Sequence, residues 1–142
     1  MRTSLAISLV LVFLTLSAFH VYWAAGGLFG KPAAFAHADG KTMFAPGPFA
    51  TLLVGVGLLG CAALVAATAG WIPSPLSGHA LGSLSFALAA ALMLRAIGDF
   101  RIVGFFKAAT DDVFARRDTV LYSPVCLALA LAIGTLAVLS RA

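Results

Sequence analysis

Long apolar stretches alternate with short polar ones along the chain, and the longest apolar stretch lies in its middle. Residues 42–94 contain no Lys, Arg, Asp or Glu. As one helix this stretch would be roughly 80 Å long at about 1.5 Å per residue. The hydrocarbon core of a bilayer is only about 30 Å thick. The stretch must therefore fold back on itself, and the glycines and prolines of residues 70–78 mark the break.

The apolar pattern predicts four membrane-spanning helices at about residues 4–25, 50–69, 81–98 and 123–140. The first stretch is too long for the core of a usual signal peptide, so we expect a retained helix. Ser123 followed by Pro124 is typical of a helix N-cap and first helical residue, so the fourth span begins there, or at Asp118 with a bend. The predicted fold class is all-α: a single integral membrane domain, a four-helix bundle running up-down-up-down with both termini on one side.

The connection over residues 26–49 is rich in glycine and proline, and Asp39 with Gly40 is typical of a tight turn. A connection of this length without secondary structure is uncommon unless it covers a site. We expect it to fold back over the bundle or the bilayer surface as a cap.

The composition agrees with a membrane protein, since 62% of residues are hydrophobic and 10% are charged, with a mean hydropathy of +1.07. The net charge of +4 comes from residues confined to the ends and two connections, so we predict contact with membrane lipids and no nucleic-acid binding. We expect a multi-pass protein of the cell (inner) membrane. By the positive-inside rule, the Lys and Arg residues of the two longer connections favour a cytoplasmic location for the membrane face that carries them. Arg2, ahead of the first helix, favours the opposite orientation. We expect no disulfide between Cys61 and Cys126.

The second predicted helix contains glycines at 55, 57 and 60, which match the letters of a dinucleotide-binding fingerprint. That fingerprint requires a preceding strand, whereas these glycines lie inside an apolar helix. Small residues four apart, Gly57 with Cys61 and Ala62 with Ala66 and Gly70, instead favour close approach of another helix. The Gly and Ala face of this helix is therefore a candidate contact for a membrane-protein partner.

Ionisable residues close the third span, where Arg95, Asp99 and Arg101 follow an apolar run. Charged side chains at membrane depth are expensive and mark candidate functional sites. Arg95 and Asp99 are four residues apart, so on a helix they share a face and can form a structural ion pair, or Asp99 can hold the Arg95 fork for an anion.

An even number of spans brings the end of the first helix, the end of the third and the start of the fourth to one membrane face. The predicted ligand-binding residues share that face: His20, Tyr22, Trp23, Arg95, Asp99, Arg101, Arg117, Asp118 and Tyr122. Arg117 and Asp118 also fit a solvated loop, a headgroup-binding patch or counter-charges for Asp99. No histidine has the spacing of a known zinc motif, so we predict no metal site. A hydrogen bond is the ordinary role of a buried histidine such as His20, with haem or metal ligation as the alternative, and no cofactor is indicated.

Several segments carry a resemblance to a known family: HVYWA at 20–24 with Gly26 and Gly27, the residues 44 and 46–47, RAIGDFR at 95–101, VGFFK at 103–107, and residues 114–116, 118–119, 121–124 and 126. In these segments the chain resembles small bacterial four-helix membrane proteins grouped as domain of unknown function 3995. The resemblance implies the architecture and the importance of the polar face, and it implies no activity.

Three functions follow as hypotheses. The leading one is a multi-pass membrane protein whose polar cluster at one interface binds a lipid headgroup or a small amphipathic ligand. The second is a membrane enzyme acting on a lipid or isoprenoid-like substrate, with His20 or Asp99 moving a proton. The third is an accessory subunit of a larger membrane complex.

Overall fold

Four long helices account for most of the chain in the computed structural model, which describes residues 1–30, 37–38, 41–42, 46–98, 104–107 and 113–140. In chain order the elements are α1 (Arg2–Ala24), β1 (His37–Ala38), β2 (Lys41–Thr42), α2 (Pro48–Thr68), α3 (Gly78–Ile97), α4 (Val113–Arg117), a π-helical turn (Asp118–Tyr122) and α5 (Ser123–Leu139). The segments Arg2–Ala24, Pro48–Thr68, Gly78–Ile97 and Ala115–Leu139 are long and apolar enough to cross a membrane. The predicted all-α class with four spanning helices is confirmed.

The third and fourth spans begin at other residues than predicted, because a capping side chain and a proline affect where each helix starts. The third helix begins at Gly78, before the predicted residue 81, because the Ser77 side chain accepts a hydrogen bond from the Ala80 N–H at 3.2 Å. The α-helix α5 begins at Ser123, but the fourth span as a whole begins upstream of it, at Ala115. Residues 113–139 are helical throughout, and the Ser123 hydroxyl donates to Asp118 at 3.3 Å, so Ser123 is not an N-cap. Of the two predicted starts, the one upstream at Asp118 is closer to the structure.

The core lies where α1 and α2 face α3 and α5, and large apolar side chains fill it. Phe13 and Leu9 from α1, Val65 from α2 and Ile133 and Leu136 from α5 are almost completely buried. Most other large apolar side chains of the helices point outward, as expected where the surrounding solvent is lipid. Cys61 and Cys126 are free thiols.

Buried hydroxyl groups join the helices at both ends of the core. The Ser17 hydroxyl of α1 donates to the Gly55 carbonyl of α2 at 2.8 Å, and Thr68 of α2 shares a 3.0 Å hydrogen bond with Ser85 of α3. In an apolar environment such bonds satisfy polar groups that would otherwise lack partners.

The close helix contact predicted on α2 occurs at a different glycine. A Cβ atom at Gly55 would lie 3.3 Å from the His20 Cβ and 3.5 Å from the Ser17 carbonyl oxygen, so α1 approaches α2 there. Gly57 and Gly60 have nothing within 4 Å and face outward. Within this chain, the prediction that Gly57 and Gly70 admit a neighbouring helix is therefore wrong, whereas Ala62 is buried in the core. Contact of the Gly and Ala face with a membrane-protein partner stays a prediction.

The first connection starts by turning back onto α1, since the Trp23 indole N–H donates to the Phe29 carbonyl at 2.8 Å. Further along, β1 and β2 pair antiparallel on either side of Asp39 and Gly40, with His37 opposite Thr42. This pairing agrees with the predicted tight turn. Asp39 and Gly40 themselves, and the parts of the predicted cap at 31–36 and 43–45, lie outside the described residues.

Candidate functional site

A fully buried carboxylate, Asp118, lies at the centre of the most polar group of residues that the structure describes. Its exposed fraction is 0%. Its oxygens accept hydrogen bonds from Arg95 Nη2 at 2.7 Å, the Gly104 N–H at 2.6 Å, Lys107 Nζ at 3.1 Å and the Ser123 hydroxyl at 3.3 Å. We call these five residues the Asp118 cluster. Buried charge of this kind is stable only when it is paired and hydrogen-bonded, and every bond here supports the ionised form.

The end of α3 supplies one side of the cluster. Arg95 is in the last turn of α3, which ends at Gly98 with a φ of +99°. The chain then returns to the helix end, because the Phe105 N–H donates to the Ala96 carbonyl at 2.9 Å and the Phe106 N–H to the Ile97 carbonyl at 3.4 Å. These bonds satisfy carbonyl groups that the helix terminus leaves without partners.

Gly104 allows this return. Its φ of +91° is in the left-handed region, which side chains other than glycine rarely adopt. A Cβ atom at this position would also overlap the Gly98 backbone and the Ile97 carbonyl. Glycine is thus required for the Gly104 N–H to reach Asp118.

The π-helical turn supplies the other side. In this turn the Ser123 N–H bonds to the Asp118 carbonyl five residues back, so the helix is wider than an α-helix. The same spacing brings the Ser123 hydroxyl to the Asp118 carboxylate. Single π turns inside α-helices frequently mark functional sites.

Lys107 is turned inward, and its side chain is only 4% exposed. Its ammonium group bonds to Asp118, to the Gly104 carbonyl at 3.0 Å and to the Thr119 hydroxyl. An ammonium group has three N–H donors. All three are therefore used, and Lys107 acts as a counter-charge within the fold.

Arg95 differs from Lys107 because part of its hydrogen-bonding capacity is unused. Its side chain is 34% exposed. Nη2 contacts Asp118, whereas Nη1 is buried and has no hydrogen-bond partner among the described residues. With Arg95 and Lys107 against Asp118, the ionised cluster carries one net positive charge. The guanidinium plane is held by Asp118 through Nη2, and Nη1 has no hydrogen-bond partner among the described residues.

Comparison with known families decides what the chain is related to. The family model described as "Protein of unknown function (DUF3995)" matches residues 13–133. The chain belongs to the DUF3995 family. This confirms the family predicted from the segments above, and the matched range includes the whole Asp118 cluster. No curated protein and no solved structure matches the chain.

The structure brings together two of the residues predicted for the site of this DUF3995 protein, Arg95 and Asp118, across 23 positions of sequence. Asp99 and Arg101 lie outside the described residues, so the predicted pairing of Arg95 with Asp99 stays a prediction. Arg117 is exposed, and Tyr122 is half-buried at the end of the π turn.

The predicted residues of α1 make contacts near their own helix. His20 Nδ1 is 2.7 Å from the Leu16 carbonyl oxygen, and its ring lies 5.2 Å from that of Trp23. The Tyr22 ring covers Gly27. Within the described part of the chain, His20 makes no hydrogen bond to Arg95 or Asp118. The grouping of the α1 residues with the Asp118 cluster in one pocket stays a prediction.

Sequence reasoning missed three roles in the cluster, those of Gly104, Lys107 and Ser123. Gly104 and Lys107 stand three residues apart in a charged connection, and glycine before two phenylalanines is the one signal that points to a tight return. Among the described residues, no three His, Cys, Asp or Glu side chains come close enough to hold a metal ion.

Proposed function

We propose that this protein binds the anionic group of an amphipathic membrane molecule, a phosphate or a carboxylate, at Arg95. The observation that carries the proposal is Arg95 Nη1, which is buried and has no hydrogen-bond partner among the described residues. A buried donor without a partner costs about 1–3 kcal/mol, and more when it is charged. An anion at this nitrogen removes that cost.

The rest of the cluster prepares Arg95 for this role. Asp118 holds Nη2 and so fixes the guanidinium plane, while Lys107 balances the charge of Asp118. The positive charge of Arg95 is then left to attract a ligand. A planar guanidinium presents paired donors that match the oxygens of a phosphate or carboxylate. Asp118 and Lys107 act as positioning residues, and Arg95 is the contact to the ligand.

The position of the cluster suits a headgroup. Arg95 is in the last turn of one candidate span, and Asp118 is near the start of another, Ala115–Leu139. Arg116 and Arg117, both exposed, lie at the same end. Basic residues beside a span attract anionic lipids, with about 1 kcal/mol for each charge near the surface.

The up-down-up-down order, the shared side of the termini and a location in the cell (inner) membrane are part of this proposal. Contacts between helix ends support the order. Arg2 Nη2 is 3.4 Å from the Ala69 carbonyl beyond α2, whereas Ser17 near the other end of α1 contacts Gly55 near the start of α2. These are the contacts of an antiparallel pair.

Arg95→Lys tests the proposal without removing the charge that Asp118 needs. Lysine retains an ammonium group for Asp118 and lacks the second guanidinium nitrogen. Native mass spectrometry in detergent, with added phosphatidylglycerol or phosphatidylcholine, measures binding. We expect the unmodified protein to retain phosphatidylglycerol. The variant should bind it roughly tenfold or more weakly, because a hydrogen bond to a charged group contributes about 1.5–3 kcal/mol.

Arg116→Lys is the matched control, since Arg116 is exposed at the same end and makes no hydrogen bond or ion pair with the described residues of the cluster. It should bind phosphatidylglycerol as the unmodified protein does. Equal binding by all three proteins would show that Arg95 Nη1 is not the anion contact.

A further inference from the structure

Residues 104–107 lie beside the last turn of α3, not beyond it. The hydrogen bonds from the Phe105 and Phe106 N–H groups to the Ala96 and Ile97 carbonyls fix their level along the bundle. The contact between Gly104 and Asp118 fixes the same level against the last span. This short segment therefore lies at the depth at which two candidate membrane spans end or begin.

The exposure of its side chains is the reverse of that expected for a loop in water. Phe106 is 66% exposed and Phe105 is also exposed, whereas the neighbouring Lys107 is 4% exposed and buried among polar partners. On a surface in water, lysine is almost always exposed and phenylalanine is usually buried. The reverse arrangement is expected where the surroundings are apolar.

Apolar side chains at the adjoining ends of the neighbouring helices are exposed as well. Leu94 and Ile97 of α3 point outward, as do Val120 and Leu121 of the π turn, two and three residues after the buried Asp118. So many exposed apolar side chains at one end of the bundle would be costly in water, at about 25 cal/mol for each Å². Lipid is the occupant that covers all of these side chains at once.

We infer that residues 104–107 form a wedge inserted into the bilayer, with Phe105 and Phe106 in contact with lipid and the Asp118 cluster on the bilayer side of the interface. This position of the wedge, together with the proposed function on which this step rests, identifies where the ligand comes from. The anionic group at Arg95 belongs to a lipid that reaches it from the bilayer, not to a soluble anion that reaches it from water.

Spin labelling tests the depth of the wedge. Cys61 and Cys126 are free and can be replaced by alanine without breaking a disulfide. Single cysteines are then placed at Phe106, at the exposed Leu131 in the middle of α5 as the lipid-facing control, and at Pro75, exposed in the break between α2 and α3, as the water-facing control. Each label is measured in phosphatidylcholine vesicles for collisions with oxygen, which concentrates in lipid, and with a water-soluble nickel chelate.

The label at Phe106→Cys should favour oxygen over nickel as the label at Leu131→Cys does, with the ratio reversed at Pro75→Cys. A nickel-accessible label at 106, matching position 75, would overturn the inference. Phe106→Trp keeps an aromatic ring and gives a second measurement, because brominated phosphatidylcholine should quench the added fluorescence. The absence of such quenching would overturn the inference equally.

The source of the ligand is tested on the unmodified protein in detergent. Phosphatidylglycerol should raise the thermal unfolding temperature, and inorganic phosphate should not. An equal rise with inorganic phosphate would refute the bilayer source while retaining an anion site. If neither ligand binds but the label at 106 lies in lipid, the proposed function fails and the wedge stands.

Discussion

Neutralising Asp118 is the sharpest test of the cluster, because this carboxylate joins two cations, a backbone N–H and a hydroxyl. In Asp118→Asn the side-chain shape is retained and the charge is lost. Lys107, 4% exposed, would then be a buried cation without a counter-ion among the described residues. Arg95 would be affected less, since its side chain is 34% exposed.

The magnitude follows from these exposures. Removing one partner of a buried ion pair costs about 3–5 kcal/mol, because the other charge stays buried and unpaired. A partly exposed pair contributes only about 0–1 kcal/mol. Most of the loss should therefore come from Lys107, and we expect Asp118→Asn to lower the free energy of unfolding by about 3–5 kcal/mol.

Adding Lys107→Met to Asp118→Asn should restore part of this stability, because the double variant buries neither charge. Lys107→Met alone should cost less than Asp118→Asn, since Asp118 keeps its bonds to Arg95, Gly104 and Ser123. Unfolding of detergent-solubilised protein by sodium dodecyl sulfate, followed by circular dichroism, measures all three variants.

Arg117→Gln is the control for this cycle. Arg117 is exposed one residue before Asp118, and its replacement should change stability by less than about 0.5 kcal/mol. The reasoning fails if Asp118→Asn behaves like this control. It also fails if the double variant is less stable than Asp118→Asn, since the buried ammonium of Lys107 would then not be the source of the loss.

Two glycine substitutions test the close contacts by thermal unfolding in detergent. Gly104→Ala should destabilise the protein by more than about 1 kcal/mol, because the positive φ of Gly104 and the overlap of an added Cβ atom with Gly98 both oppose a side chain. Gly60→Ala is the control, since Gly60 faces open space within a helix, and it should be neutral or slightly stabilising. Equal effects of the two substitutions would contradict the assigned turn at Gly104. Gly55→Leu should separate α1 from α2 and lower the unfolding temperature, whereas Gly57→Leu should leave it nearly unchanged, and a similar loss in both would contradict the helix contact.

Hydropathy was sufficient to predict the four spans, because a membrane helix must be apolar over about 20 consecutive residues. The same property limited the prediction of packing. Apolar residues surround each helix, so the sequence shows no distinct face that would separate the buried Gly55 from the outward-facing Gly57. Which glycine meets a neighbour depends on how α1 and α2 are placed, and nothing in the local pattern of α2 specifies that placement.

Only part of the site was predicted, because local sequence patterns also do not show which distant residues meet. Sequence reasoning identified Arg95 and its need for a carboxylate, and it weighed Asp99 because residues four apart share a helix face. Among the described residues, the carboxylate that Arg95 contacts is Asp118, whose distance along the chain follows no helical period. Packing of α3 against α5 and the return of the chain at Gly104 both bring the end of α3 to the start of the last span, and neither is visible in a local pattern.

Pro124 shows how a bilayer changes the meaning of a sequence signal. In water, serine followed by proline is a favourable helix start, which led to the prediction of a helix beginning at Ser123. In lipid, an unpaired backbone group costs several kcal/mol, so a helix gains by continuing through a proline when a neighbouring turn can adjust. Here the π turn directly precedes Pro124, which has no N–H to donate, and the Ser123 N–H bonds to the Asp118 carbonyl instead. That wider turn also brings the Ser123 hydroxyl to the Asp118 carboxylate. The proline therefore marks the turn that holds the buried charge, not the beginning of the span.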